Sequence, residues 1–101
     1  MDSIKSTEER IQTVEVNMPC DLGLHMRVAA KFIGFSKKFE SQIRIQCRKF
    51  SADGKSMMGL LCLGASKGET LTIIVDGKDA DTACREIEAY FQQKENCYDE
   101  R

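Results

Sequence analysis

No apolar run in the 101-residue sequence approaches the roughly 20 residues of a helical bilayer crossing, which excludes a helical membrane span. Nor is there a surplus of either charge. Fifteen Lys and Arg stand against 16 Asp and Glu, for a net charge of -1 and a pI near 5.8. Binding to polyphosphate backbones calls for a basic footprint, so nucleic-acid binding is not expected. The five cysteines, at 20, 47, 62, 84 and 97, form an odd set without a Cys-x-x-Cys pair, which suggests neither a disulfide framework nor a zinc site. Reduced thiols, and with them the cytoplasm, are the expectation. A single Pro, no low-complexity tract, 42% hydrophobic and 31% charged residues describe a folded chain rather than a disordered one.

The length fits one domain. Area scaling leaves roughly 5,800 Å² exposed of about 16,500 Å² for the unfolded chain, so a core can form without disulfides or metal. The start, MDSIKSTEER, has no apolar segment and is not read as a secretory signal. Residues 1–10 read as a mobile leader, 11–95 as the folded domain and 96–101 as a tail.

Val14, Val16 and Met18 alternate with polar residues, as on a strand buried on one face, and Pro19 ends it. Ala29, Phe32, Ile33 and Phe39 are spaced as on a helix that begins just after His25. Ile43, Ile45 and Cys47 predict a second strand, with Arg48 to Ala52 pairing back on it before the Asp53-Gly54 turn. Ser56 is a favoured N-cap for a short helix, and Leu71, Ile73 and Val75 predict a fourth strand. Ala80, Ala83, Cys84, Ile87, Tyr90 and Phe91 form the clearest helical stripe, with Asp79 available as its N-cap. The order β-α-β-β-α-β-α, with every strand wet on one face, predicts an α+β sheet covered by helices on one side. Chemistry then belongs at loops and helix ends.

His25 is the only histidine and falls at the start of the first predicted helix. A helix N-terminus offers amide donors and partial positive charge, both of which favour a phosphoryl group. Imidazole is a competent nucleophile near neutrality. Arg27 adds a cation able to hold phosphate oxygens. A histidine that only caps a helix would occupy the same position, so these residues alone leave both readings open.

The run Gly23-Leu24-His25-Met26-Arg27-Val28-Ala29 resembles the Gly-Ile-His-Ala-Arg-Pro-Ala motif of the HPr family, the histidine-containing phosphocarriers of the bacterial phosphoenolpyruvate-dependent phosphotransferase system. A second run, Lys55-Ser56-Met57-Met58-Gly59-Leu60-Leu61-Cys62-Leu63-Gly64, is similar to the segment that holds that family's regulatory serine. The likeness extends over about Gln12 to Phe91 and includes Thr72-Ile73-Ile74-Val75-Asp76-Gly77.

The resemblance implies an open-faced sandwich of four antiparallel strands with three helices on one face. It implies a carrier with a transient phosphohistidine rather than an enzyme with its own turnover. Enzyme I phosphorylates His25 at Nδ1, Arg27 assists, and an enzyme IIA domain takes the group onward. Ser56 becomes the target of an HPr kinase/phosphorylase, and Met26, Ala30, Met57, Met58 and Leu61 form the partner-binding surface. No cofactor or metal is implied, and a monomer is expected. Val28 stands where the family has proline, and losing that pre-set φ is expected to loosen the loop-to-helix junction.

Competing readings are weaker. A ferredoxin-like RNA-binding module stacks bases on sheet aromatics, but Phe50 is the only aromatic in a predicted strand. A P-loop ending in Gly54-Lys55-Ser56 needs glycine where Lys49 stands. Cysteine catalysis is disfavoured because most of the cysteines fall on faces that read as core. A purely regulatory phosphoprotein, signalling through the same residues without sugar transport, is the remaining alternative.

Overall fold

The computed structural model describes residues 11–97. Among these the order is β1 (Ile11–Asn17), α1 (Met26–Ser36), β2 (Gln42–Cys47), β3 (Phe50–Asp53), α2 (Met57–Leu63), β4 (Thr70–Asp76), α3 (Ala80–Phe91) and a 3-10 turn (Lys94–Cys97). The expected leader, 1–10, and residues 98–101 of the expected tail lie outside the described residues. Cys97, assigned to the tail on sequence grounds, is buried at the end of the 3-10 turn.

Period-2 patterning sorts each strand onto two faces, and the sheet follows from it. The four strands pair antiparallel in the order β1-β4-β2-β3. One row of the inner face runs Val14, Ile73, Ile45, Ala52 across the sheet. Ile43, Ile45, Ile73 and Val75 are all but inaccessible, while Gln42, Arg44 and Gln46 are exposed, so the helices cover one face only. Each buried aliphatic contributes about 1.5 to 3 kcal/mol. Val14 and Val16 are only half-buried because β1 is an edge strand, and Met18 just beyond it is enclosed. No helix among the described residues is long and apolar enough to cross a membrane.

The apolar stripes of α1 and α3 meet in an aromatic seam. Phe32 lies 5.5 Å from both Tyr90 and Phe91, and Phe35 stacks on Tyr90 at 4.4 Å. Burial pushes the Tyr90 hydroxyl up to about 12. At the C-terminal end of α2, the Arg48 guanidinium donates to the Leu63 carbonyl at 2.9 Å and pairs with Glu69. Arg48 has φ +57° because it sits in the two-residue turn joining β2 to β3, where hairpin geometry favours positive φ.

Asp79 corrects the sequence reading. It occupies the N-cap position of α3, but its side chain caps nothing in that helix. Its carboxylate instead accepts the Glu40 and Ser41 N–H groups at 2.9 and 3.0 Å, and the Ser41 hydroxyl as well. The competing demand is tertiary: the chain entering β2 must satisfy its amides, and Asp79 is the acceptor beside it. The Ser41 hydroxyl, with those amides behind it, holds the carboxyl below its ordinary value of 3.8. A carboxyl lowered in the folded state stabilises fully above its unfolded pKa and progressively less as pH falls below it. Asp79→Ala is therefore expected to cost roughly 2 kcal/mol at neutral pH. Urea titrations at pH 7 and pH 3 check this, with the gap between variant and wild type shrinking at the lower pH.

Reduced thiols throughout were expected, and here too the structure differs. Cys20 and Cys97, 77 positions apart in sequence, form a disulfide with Cα atoms 5.2 Å apart. The loop after β1 and the turn after α3 converge at this point, a closure that cysteine spacing does not encode. Cys47 and Cys84 are buried free thiols, pushed up by burial, and Cys62 is exposed.

Candidate functional site

His25 occupies the N-cap of α1 in extended backbone, φ -97° and ψ -178°. That conformation fits the role, because an N-cap residue sits outside the helix while its carbonyl accepts the first helical bond. Ala29 N–H donates to His25 O at 2.8 Å, so the amides preceding it open the helix, the end where partial positive charge gathers. The imidazole itself makes no capping bond and is half-buried.

Residues 18–25 are pinned from the inside by the segment 65–69. Met18 N–H donates to Glu69 O at 2.9 Å, Gly68 N–H to Met18 O at 2.8 Å, and Leu24 N–H to Ala65 O at 2.9 Å. Within the loop, Gly23 N–H closes a turn on Cys20 O, and His25 N–H on Gly23 O. Gly23 has φ +74°, and a Cβ there would lie 2.4 Å from Ala65 O. Only glycine lets the two backbones approach so closely. Asp21 pairs with Lys67 at 2.8 Å, and that contact, followed by the charge of Lys94, holds its carboxyl below the ordinary range.

Arg27 is exposed in the first turn of α1, as are Met26, at 64%, and Ala30. α1 packs against α2, which starts at Ser56. The Ser56 hydroxyl accepts the Gly59 N–H at 3.1 Å, and so serves a different helix start from His25. Met58 is 72% exposed, whereas Met57 and Leu61 are half-buried against the core. The expected partner surface thus separates into projecting methionines and a packed base. Sequence reasoning missed Leu22, 82% exposed three positions before His25, along with the steric demand at Gly23 and the covalent tie at Cys20. A glycine just ahead of a helix start was the one signal available for the second of these.

Comparison with known proteins fits this geometry. The family profile described as the PTS HPr component phosphorylation site matches residues 12–93. The phosphocarrier protein HPr of Pseudomonas aeruginosa is 35% identical over 88 residues, covering 86% of this chain and 94% of that protein. The HPr-like protein Crh of Bacillus subtilis is 34% identical over 83 residues, covering 82% and 95%. Among solved structures, HPr-C-His from Thermoanaerobacter tengcongensis superposes with a TM-score of 0.78 at 28% identity, over 89% of this chain and 99% of the other. A sheet of this order, a lone histidine at the first helix start and these relatives agree: the chain belongs to the HPr family of phosphocarriers of the phosphotransferase system.

Proposed function

We propose that His25 is the phosphoryl acceptor, charged by enzyme I at the expense of phosphoenolpyruvate and discharged to an enzyme IIA domain. The observation that carries this reading is the half-exposed imidazole at the N-cap of α1, with no capping bond to give up. The Nδ1 lone pair forms the new N–P bond while the donor keeps the electron pair of the P bond that breaks; onward transfer reverses the roles. The helix end stabilises the added charge by only about 0.3 to 2 kcal/mol, enough to position it and too little to trap it. Arg27, exposed two residues on, steadies the phosphoryl oxygens during exchange. Met26, Ala30, Met57, Met58 and Leu61 form the docking surface for both partners, since projecting methionines adapt to more than one shape.

Ser56 is the regulatory position, phosphorylated by an HPr kinase/phosphorylase. Phosphate there would replace the hydroxyl that now holds Gly59 N–H and add a charge of about -1.5 to -2 beside the docking surface. The protein works as a monomer in the cytoplasm, a placement that rests on its phosphotransferase role. The disulfide withdraws the support that reduced thiols would have given. A regulatory role without sugar transport draws support from the likeness to Crh, the Bacillus subtilis catabolite repression HPr.

Incubation with enzyme I, Mg²⁺ and phosphoenolpyruvate is expected to give an acid-labile phosphoimidazole on the wild type and none on His25→Ala, read by mass spectrometry and ³¹P NMR. An unlabelled wild type, or equal label on the variant, would refute the assignment.

A further inference from the structure

The segment carrying His25 is held from two sides by different means. Inside, backbone bonds to 65–69 fix Met18 and Leu24. Outside, the Cys20–Cys97 bond ties it to the 3-10 turn, which lies across α1 and α3. The hydrogen bonds of Asn96 stay on the turn's own side of the junction, its N–H to Gln93 O at 3.1 Å and its Nδ2 to Tyr90 O at 2.9 Å. Both cysteines line a void of only about 10 Å³ together with Leu24, Val28 and Phe91, so the bond closes directly over the core. Lys94, at the head of the same turn, acts on Asp21 beside Cys20.

We propose that the Cys20–Cys97 disulfide is a reversible redox clip, opened by a dithiol reductant, that sets the rigidity of the His25 loop and through it the rate of phosphoryl exchange. The last clause rests on His25 being the acceptor. Both sulfurs are covered, so attack requires the 3-10 turn to lift, the side that lacks the ladder to 65–69. A thiolate of the reductant attacks Cys97 Sγ, forming a mixed disulfide and releasing Cys20 Sγ as a thiolate that takes up a proton. The second thiol of the reductant then displaces Cys97 Sγ. Two electrons and two protons pass to the cysteine pair, and the reductant leaves as its own disulfide. In the open form the turn comes away from Leu24 and Val28 while the inner bonds keep the loop attached. His25 then samples more orientations, and fewer encounters with a phosphoryl donor are productive.

The test uses the full chain with dithiothreitol as the reductant. Alkylation followed by mass spectrometry is expected to find Cys20 and Cys97 protected before reduction and modified after it, with oxidation restoring protection. Hydrogen exchange by local opening is expected to speed up about tenfold over 92–97 and several-fold over 20–28. Phosphoryl transfer from charged enzyme I is expected to slow about threefold or more on reduction. The Cys20→Ser/Cys97→Ser variant, checked for folding by circular dichroism, should stay at the slow rate whether or not dithiothreitol is present. Cysteines already open to alkylation before reduction, a bond that native reduction cannot open, or a reduced protein with unchanged exchange over 20–28 overturns the clip. Unchanged transfer together with faster exchange overturns its effect on rate. Absence of label in both redox forms overturns the acceptor reading instead, because alkylation and hydrogen exchange involve no phosphate.

Discussion

Cys97→Ser, melted beside the oxidised wild type, is expected to lose about 2 to 4 kcal/mol of stability, the usual loss when a native disulfide goes. The closed loop spans 77 positions, for which the chain-entropy relation gives about 4.5 kcal/mol before any native-state cost is subtracted. For a domain of this size, each kcal/mol moves Tm by about 4 to 8 °C, so a drop of about 10 °C or more should appear in a calorimeter. Wild type with reductant should melt close to the variant. Coincidence of oxidised wild type and variant would mean that the bond does not close in the protein.

Gly23→Ala is the second large expected effect, and it acts on the other side of the same loop. Alanine at φ +74° carries the left-handed penalty of about 1 to 2 kcal/mol. Its Cβ would also meet Ala65 O at 2.4 Å, a backbone atom that cannot swing aside. Either the loop lifts from 65–69 or the C-terminal flank of α2 moves, a displacement of the kind that costs about 1 to 3 kcal/mol. The sum, about 2 to 5 kcal/mol, is measurable by denaturant titration. The lifted loop should also show faster amide exchange at Leu24, which donates to the same carbonyl. Wild-type stability with Leu24 still protected would show that the backbones do not meet as described.

These sites also mark where the sequence was legible and where it was not. Alternation at Ile43, Ile45, Leu71, Ile73 and Val75, and the stripe from Ala80 to Phe91, are local signals set by the period of each element, and the structure follows them. The start of α1 just after His25 was readable for the same reason. Disulfide closure, the grip of Asp79 on Ser41 and the approach of Gly23 to Ala65 each join distant stretches of chain. None of them leaves a periodic trace. Asp79 shows how a local preference loses: a good N-cap residue was drawn off by amides 38 positions away. Val28, which stands where the motif has proline, is buried and lines the same small void as the two cysteines.

The strand order also governs how the chain can assemble as it leaves a ribosome. β2 and β3 are adjoining partners and can zip as soon as both have emerged. Among the described residues β1, made before them, has β4 as its one sheet neighbour, whose first residue, Thr70, comes 53 positions after its counterpart Asn17. Until then the backbone edge of β1 stays unpaired, a target for chaperones or for a second nascent chain, and its apolar stripe waits longer still, for α3. Arrival of β4 supplies both missing ladders at once, so the domain gains its cooperativity late, in a single step dominated by long-range pairing.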